Sequence, residues 1–204
     1  MKNVNAIIFD LGGVILNIDY NLTRKAFEKS GVIDFHEMYS QAAADDLFEN
    51  LERGTVVEED FYKEFNKRIQ SALDKNEIRS NWNAMLLTFR EKSLEFLDSI
   101  KSKYKLYLLS NTNHIHLNAF DKIYNVTPRN KPFEKFFDKV YYSCEMGLRK
   151  PNADIYEFVL NENKLEAGKT LFIDDSVQNT EAAQAVGLQT ILLKRGMYIE
   201  DLGL

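Results

Sequence analysis

Short apolar runs recur along the chain and are separated by stretches with helical periodicity. Five of these runs are continuous and rich in β-branched or aromatic residues, which is typical of strands buried on both faces of a sheet. They are Ala6–Phe9, Leu106–Leu109, Val140–Tyr142, Leu171–Ile173 and Thr190–Leu193. Helical patterns occupy 93–104, 154–164 and 180–187. This alternation predicts βαβ units and an α/β fold with a parallel, doubly wound, Rossmann-like sheet.

The segment from about residue 20 to residue 88 has a different pattern. It contains no strand-like run and no proline, and it reads as helices throughout. Thr55 and Glu58 have the spacing of a capping box, which predicts the start of one of these helices. We therefore expect an inserted helical cap over 20–88 and a core domain built from 1–19 and 89–204.

Composition narrows the class of protein. The 204 residues are 45% hydrophobic and 28% charged, which is typical of a soluble globular protein. Cys144 is the single cysteine, so no intrachain disulfide can form and a cytoplasmic setting is expected. The net charge of −5 argues against nucleic acid and anionic membranes as partners. A monomer or weak homodimer acting on a small metabolite fits these properties.

Polar residues stand where the predicted strands end. The first strand runs into Asp10, the second into Ser110 and Asn111, and the fourth into Asp174 and Asp175. Ligands of doubly wound sheets bind outside the carboxyl ends of the strands. These polar ends, together with Lys150 from the segment after the third strand, should meet in one crevice.

The residue types indicate a chemistry. Asp10 alone could be a nucleophile, a base, a metal ligand or a helix cap. Asp174 and Asp175 are adjacent carboxylates that repel each other unless a cation lies between them, and oxygen-only ligands suit Mg²⁺. Lys150 would balance the acids and hold a phosphoryl oxygen. Ser110 would add a hydroxyl. Together these groups favour phosphoryl transfer through an aspartyl-phosphate.

Four segments carry a family resemblance: FDLGGV, LLSNTN, LRKP and FIDDS. Their order and spacing resemble the four motifs of the haloacid dehalogenase (HAD) superfamily, and the helical insert resembles that family's C1 cap. The resemblance spans nearly the whole chain and is nearest to the branch that includes an α-glucose-1-phosphate phosphatase. It implies Mg²⁺-dependent hydrolysis of a small phosphate monoester, most often a sugar phosphate.

The resemblance also assigns roles to individual residues. It implies a nucleophile, a phosphate-binding pair, a conserved lysine, a direct metal ligand, a second acid acting through water, and a polar residue after the last motif. These are, in order, Asp10, Ser110 with Asn111, Lys150, Asp174, Asp175 and Asn179. Position 12 would supply a backbone carbonyl to the metal and, in most relatives, an acid/base Asp.

Position 12 is the departure from the pattern, because it is Gly12. A phosphatase could work without that acid, with water, Asp19 or Tyr20 supplying the proton. A metal-independent 2-haloacid dehalogenase also lacks the second Asp, and Arg24 is its candidate halide ligand. A non-catalytic or regulatory protein with the same fold is the third possibility. His114 or His116 could contact substrate, and Glu49 and Glu52 could set specificity.

Overall fold

The computed structural model describes residues 3–40 and 44–204. Five parallel strands form the main sheet: β1 (Ala6–Phe9), β4 (Lys105–Ser110), β5 (Lys139–Tyr142), β6 (Thr170–Asp174) and β7 (Gln189–Leu192). Their order across the sheet is β5-β4-β1-β6-β7. Each predicted strand thus exists within one or two residues of its expected bounds. The expected α/β fold with a Rossmann-like parallel sheet is confirmed.

The sheet is buried on both faces. Along β1, Ile7 and Phe9 face one apolar cluster while Ala6 and Ile8 face another. Helices pack on both sides and bring the remaining apolar residues. They are α6 (Glu91–Ile100), α7 (His114–Val126), α8 (Ser143–Met146), α9 (Ala153–Glu162) and α10 (Val177–Ala185). Burial of continuous apolar strands between helical layers is what the run pattern predicted.

A helical insert follows the start of the core. Its described helices are α1 (Tyr20–Lys29), α2 (Phe35–Met38), α3 (Asp46–Glu52), α4 (Glu58–Arg68) and α5 (Lys75–Asn83). They surround an aromatic core of their own, in which Phe27, Phe35, Phe48, Phe65 and Trp82 are fully or almost fully buried. We call this segment, residues 20–83, the helical insert. Its treatment as a domain separate from 1–19 and 89–204 stays a prediction.

Two details differ from the expectation for the segment 20–88. A strand, β3 (Leu86–Phe89), lies where only helix was expected, and it pairs antiparallel with β2 (Leu16–Ile18). The prediction of a capping box at Thr55 and Glu58 is also wrong. Helix α4 begins after Val57, while the Thr55 hydroxyl donates to the Asn50 carbonyl at 3.1 Å. No helix within the described ranges is long and apolar enough to cross a membrane.

Candidate active site

The carboxyl ends of three neighbouring strands bring the expected polar residues together. Asp10 follows β1, Ser110 ends β4 and Asp174 ends β6, and β1 lies between the other two strands. A cleft of about 430 Å³ opens above these strand ends. The helical insert forms its opposite wall, with Tyr20, Tyr39 and Glu52 among the lining residues. This is a volume typical of small-molecule sites.

A buried cation lies between two carboxylates at the floor of the cleft. The Nζ atom of Lys150 is 2.7 Å from Asp10 Oδ1 and 2.7 Å from Asp174 Oδ2. Lys150 is only 1% exposed, and Asp10 and Asp174 are buried as well. Burial disfavours the ammonium form, but attraction to the two carboxylates outweighs it and raises the pKa of Lys150. Lys150 therefore stays charged and partly neutralises the floor.

The carboxylates of Asp10, Asp174 and Asp175 form a cluster suited to a metal ion. One oxygen of each lies within 4.8 Å of the others. Burial, reinforced by repulsion from Asp174 and Asp175, raises the pKa of Asp10 to about 7 despite the nearby Lys150. One lysine is thus too little positive charge for three acids. A hard divalent cation would supply the balance, and carboxylate oxygens are the donors that Mg²⁺ takes.

Asp174 is held in place from several sides. Its Oδ1 accepts from the Ser176 backbone N–H at 2.8 Å, and both of its oxygens lie 3.0–3.1 Å from Asn179 Nδ2. Asn179 therefore belongs to the site and orients Asp174. Gly13 lies against the neighbouring acid. It has a φ of +71°, and a Cβ at this position would lie 2.2 Å from Asp175 Oδ2, so only glycine fits there.

Asn111 anchors the loop that carries the lysine. Its side-chain nitrogen donates to the Lys150 carbonyl at 2.8 Å, and its oxygen accepts from the Lys150 N–H at 2.9 Å. The amide side chain is therefore occupied by the protein. Ser110 lines the cleft beside it. The expected phosphate-binding role of Ser110 and Asn111 stays a prediction, which for Asn111 would use backbone rather than side-chain donors.

An apolar side chain occupies the space beside Gly12. Gly12 lines the cleft, and a Cβ added to it would lie 2.9 Å from the Cδ1 atom of Ile18. The position that would carry an acid in a typical HAD motif is thus filled by a methyl group. The wall next to Asp10 is consequently apolar on this side. Neither Gly12 nor Ile18 can donate a proton, so any acid that assists the reaction must lie on another wall.

A charged network joins the helical insert to the core at the far wall. The Arg149 guanidinium contacts Glu49 Oε1 at 2.9 Å and Glu52 Oε2 at 2.7 Å. Tyr39 donates its hydroxyl proton to the other oxygen of Glu52 at 3.1 Å. Glu52 is 4% exposed, so this carboxylate is buried, with one oxygen on Arg149 and the other on Tyr39. The network places donors and acceptors opposite the acidic floor.

Comparison with known proteins identifies the family. The family model described as haloacid dehalogenase-like hydrolase matches residues 4–187. The chain belongs to the haloacid dehalogenase-like hydrolase family. It is 27% identical to a D-ribitol-5-phosphate phosphatase of Bacteroides thetaiotaomicron over 95% of this chain and 93% of that protein. It is 24% identical to a phosphorylated carbohydrates phosphatase of Thermotoga maritima, over 92% and 84%.

Solved structures agree with these relatives. A HAD family enzyme from B. thetaiotaomicron, an aspartate-to-alanine mutant in complex with magnesium and inorganic phosphate, superimposes with a TM-score of 0.88. It is 30% identical, and 95% of each chain is covered. The expected HAD membership is confirmed. The phosphatase activity named for these relatives and the magnesium in this solved structure agree with the expected enzyme class and Mg²⁺ cofactor.

Some candidates of this HAD hydrolase lie in the cleft and others do not. His116 lines the cleft, but its Nε2 lies 3.2 Å from the Trp82 carbonyl and its ring stacks on Trp82, so it is a packed wall residue. His114 is exposed. Arg24 pairs with Glu28 on the surface of α1 and does not line the cleft. It cannot act as the halide ligand from there.

Sequence reasoning missed two contributors to the site. Arg149 precedes Lys150 and Tyr39 lies in the insert, yet both line the cleft and meet at Glu52. The LRKP motif already contained Arg149. A second basic residue next to Lys150 was the available signal.

Proposed function

We propose that this protein is a Mg²⁺-dependent phosphatase that hydrolyses the phosphate monoester of a sugar or polyol through an aspartyl-phosphate on Asp10. The observation that carries the proposal is the buried floor in which Lys150 contacts both Asp10 and Asp174, with Asp175 beside them. A nucleophilic carboxylate, a balancing cation and oxygen ligands for a metal are the parts that phosphoryl transfer needs.

Each group has a separate task in this proposal. The free oxygen of Asp10 attacks phosphorus, while Lys150 neutralises the floor and approaches a phosphoryl oxygen. Asp10, Asp174, the Gly12 carbonyl and, through water, Asp175 would hold Mg²⁺. When bound, the ion would offset the charge of the acids and of the phosphoryl group. Ser110 and the backbone of Asn111 would donate to the remaining phosphoryl oxygens.

The far wall supports a substrate rich in hydroxyl groups. Tyr39, Glu49, Glu52 and Arg149 present both donors and acceptors to the cleft, and such groups recognise hydroxyls by hydrogen bonding. The relatives named as phosphatases of ribitol 5-phosphate and of phosphorylated carbohydrates point to the same class. In this proposal the helical insert acts as the cap that closes over the substrate.

The test is a phosphate-release assay over a panel of sugar, polyol and other small phosphate monoesters, with Mg²⁺ and with chelator. The wild type should release phosphate only with Mg²⁺, and Asp10→Asn should abolish turnover. Asp154→Asn, at an exposed position on α9, is the matched control and should keep wild-type activity. Turnover by Asp10→Asn at the wild-type rate would refute the proposed nucleophile.

The non-catalytic alternative predicts a different result in the same assay. It requires a folded protein without turnover on any member of the panel. The complete carboxylate and lysine floor argues against it, because a binding protein has no need of a nucleophile held 2.7 Å from a buried ammonium. The dehalogenase alternative lacks its candidate halide ligand, because Arg24 pairs with Glu28 on the surface of α1. Metal-independent chloride release from a 2-chloro acid would restore it.

A further inference from the structure

Hydrolysis of an alkyl phosphate expels an alkoxide, which is strongly basic and a poor leaving group. Its departure therefore benefits from a proton donor. Gly12 cannot donate, and the Cδ1 atom of Ile18 fills the space beside it. Asp19 is engaged as well: its Oδ1 accepts from the Asn21 N–H at 3.0 Å and caps α1. It does not line the cleft with Asp10. The donor must therefore come from another wall.

Most of the side chains that line the cleft and could donate a proton are already engaged in a hydrogen bond or an ion pair within the protein. His116 has its Nε2 hydrogen on the Trp82 carbonyl, and its Nδ1 lies 3.3 Å from the Asn113 amide nitrogen. Tyr39 donates to Glu52. Glu52 contacts the Arg149 guanidinium at 2.7 Å.

The remaining acidic groups belong to other tasks. Glu49 is paired with Arg149, and Lys150 is shared by two carboxylates of the floor. Asp10 and Asp175 belong to the candidate cation cluster. None of these groups can release a proton to a departing alkoxide without breaking an interaction that the site needs.

Tyr20 is different. It is the first residue of α1 and lines the same cleft as Asp10 and Gly12. Among residues 3–40 and 44–204, no hydrogen bond engages its hydroxyl group. Its ring lies 6.2 Å from the ring of Tyr39 on the same wall. Burial, and then the negative charges of Asp175 and Asp10, raise the pKa of Tyr20 well above its ordinary value, so the hydroxyl keeps its proton at neutral pH.

We propose that the Tyr20 hydroxyl is the proton donor to the leaving oxygen, in place of the acid that Gly12 lacks. This inference rests on the proposed function. In the first step Asp10 forms a bond to phosphorus, the ester P–O bond breaks, and the leaving oxygen takes the Tyr20 proton to give an alcohol. In the second step water attacks phosphorus, the phenolate takes a proton from that water, and the Asp10–phosphorus bond breaks. The products are the alcohol and hydrogen phosphate, with Asp10 and Tyr20 restored.

The experiment compares leaving groups of different basicity. Tyr20→Phe removes one oxygen, and Tyr198→Phe, the same change at an exposed position outside the cleft, is the matched control. The substrates are the fastest alkyl phosphate of the panel and para-nitrophenyl phosphate, whose phenolate leaves without a proton. We expect Tyr20→Phe to lower kcat/KM for the alkyl phosphate by about 10²-fold, and to leave para-nitrophenyl phosphate close to wild type. Tyr198→Phe should leave both substrates close to wild type.

Two results would overturn the inference. Equal losses on both substrates in Tyr20→Phe would mean that Tyr20 only shapes the cleft, and an unchanged rate on the alkyl phosphate would mean that the donor lies elsewhere. Failure of the proposed function is separate, because it would appear as wild-type turnover by Asp10→Asn on both substrates. Retention of para-nitrophenyl phosphate hydrolysis by Tyr20→Phe would itself show that the variant is folded.

Discussion

His116 makes the stability of the fold sensitive to acid. The ring is buried on the cleft wall, stacked against Trp82 at a centroid distance of 4.6 Å. Burial lowers the pKa of His116 to about 4, although the Trp82 carbonyl, 3.2 Å from its Nε2 atom, acts in the opposite direction. The folded protein therefore holds this histidine neutral at pH values where the unfolded chain protonates it.

The sign and size of the effect follow by linkage. A histidine whose folded pKa lies below its unfolded pKa contributes stability that is complete above the unfolded pKa and falls as the pH drops below it. With values of 6.5 unfolded and about 4 folded, the loss between pH 7 and pH 5 is about 2 kcal/mol. Asp10 acts with the opposite sign, because its pKa of about 7 makes the folded state gain protons first as the pH falls. The pH dependence of the wild-type stability therefore combines two opposing contributions, one from His116 and one from Asp10.

A comparison of variants isolates His116. His116→Gln keeps a donor for the Trp82 carbonyl but does not titrate, and the exposed His114→Gln is its control. Urea unfolding at pH 7 and pH 5 should show that wild type and His114→Gln lose about 2 kcal/mol more than His116→Gln over this interval. If all three proteins changed by the same amount, His116 would be protonated alike in both states and the reasoning would be wrong.

Four other substitutions test the site, the last of them as a control for the third. Asp174→Asn should prevent Mg²⁺ from restoring phosphate release after chelation and should remove the Mg²⁺-dependent rise in Tm; full restoration would exclude Asp174 as a ligand. Arg149→Met leaves Glu52 buried without its cation and should cost about 3–5 kcal/mol in urea unfolding, whereas an unchanged stability would show that the ion pair contributes nothing. Gly13→Ala should raise the Mg²⁺ concentration needed for half-maximal turnover, since a Cβ there meets Asp175 at 2.2 Å. Gly12→Ala, which meets only a flexible methyl group, should change it less, and equal effects would contradict this account.

The main sheet was predictable because each of its strands is buried on both faces. Such a strand must be apolar at every position, and Ala6–Phe9 is the clearest example, with all four residues buried. The ribbon of β2 and β3 was not predictable in this way. Its strands are Leu16–Ile18 and Leu86–Phe89, and the second has two exposed residues at its centre. Its partner is about seventy residues away, so neither local pattern nor burial marks it as a strand.

The floor of the site was predictable for a related reason. Parallel strands end at one edge of the sheet, so Asp10, Ser110 and Asp174 had to meet once the strands were identified. The wall that faces them was not, because it depends on how the insert packs. Glu52 and Arg149 are 97 residues apart in the sequence. In the sequence each reads as an ordinary surface charge, and only the packed structure shows that the pair is buried and joins the two parts.

Position 12 shows what a sequence can and cannot say about a mechanism. The sequence shows that Gly12 lacks a carboxylate, but it cannot show which other group supplies the proton, because that depends on which protons are already used. Asp19 and Tyr20 are neighbours and were equal candidates. The structure separates them. Asp19 accepts a hydrogen bond from the Asn21 N–H and lies outside the cleft, whereas Tyr20 lines the same cleft as Asp10. A missing acid therefore restricts the position of its replacement more than it argues against catalysis.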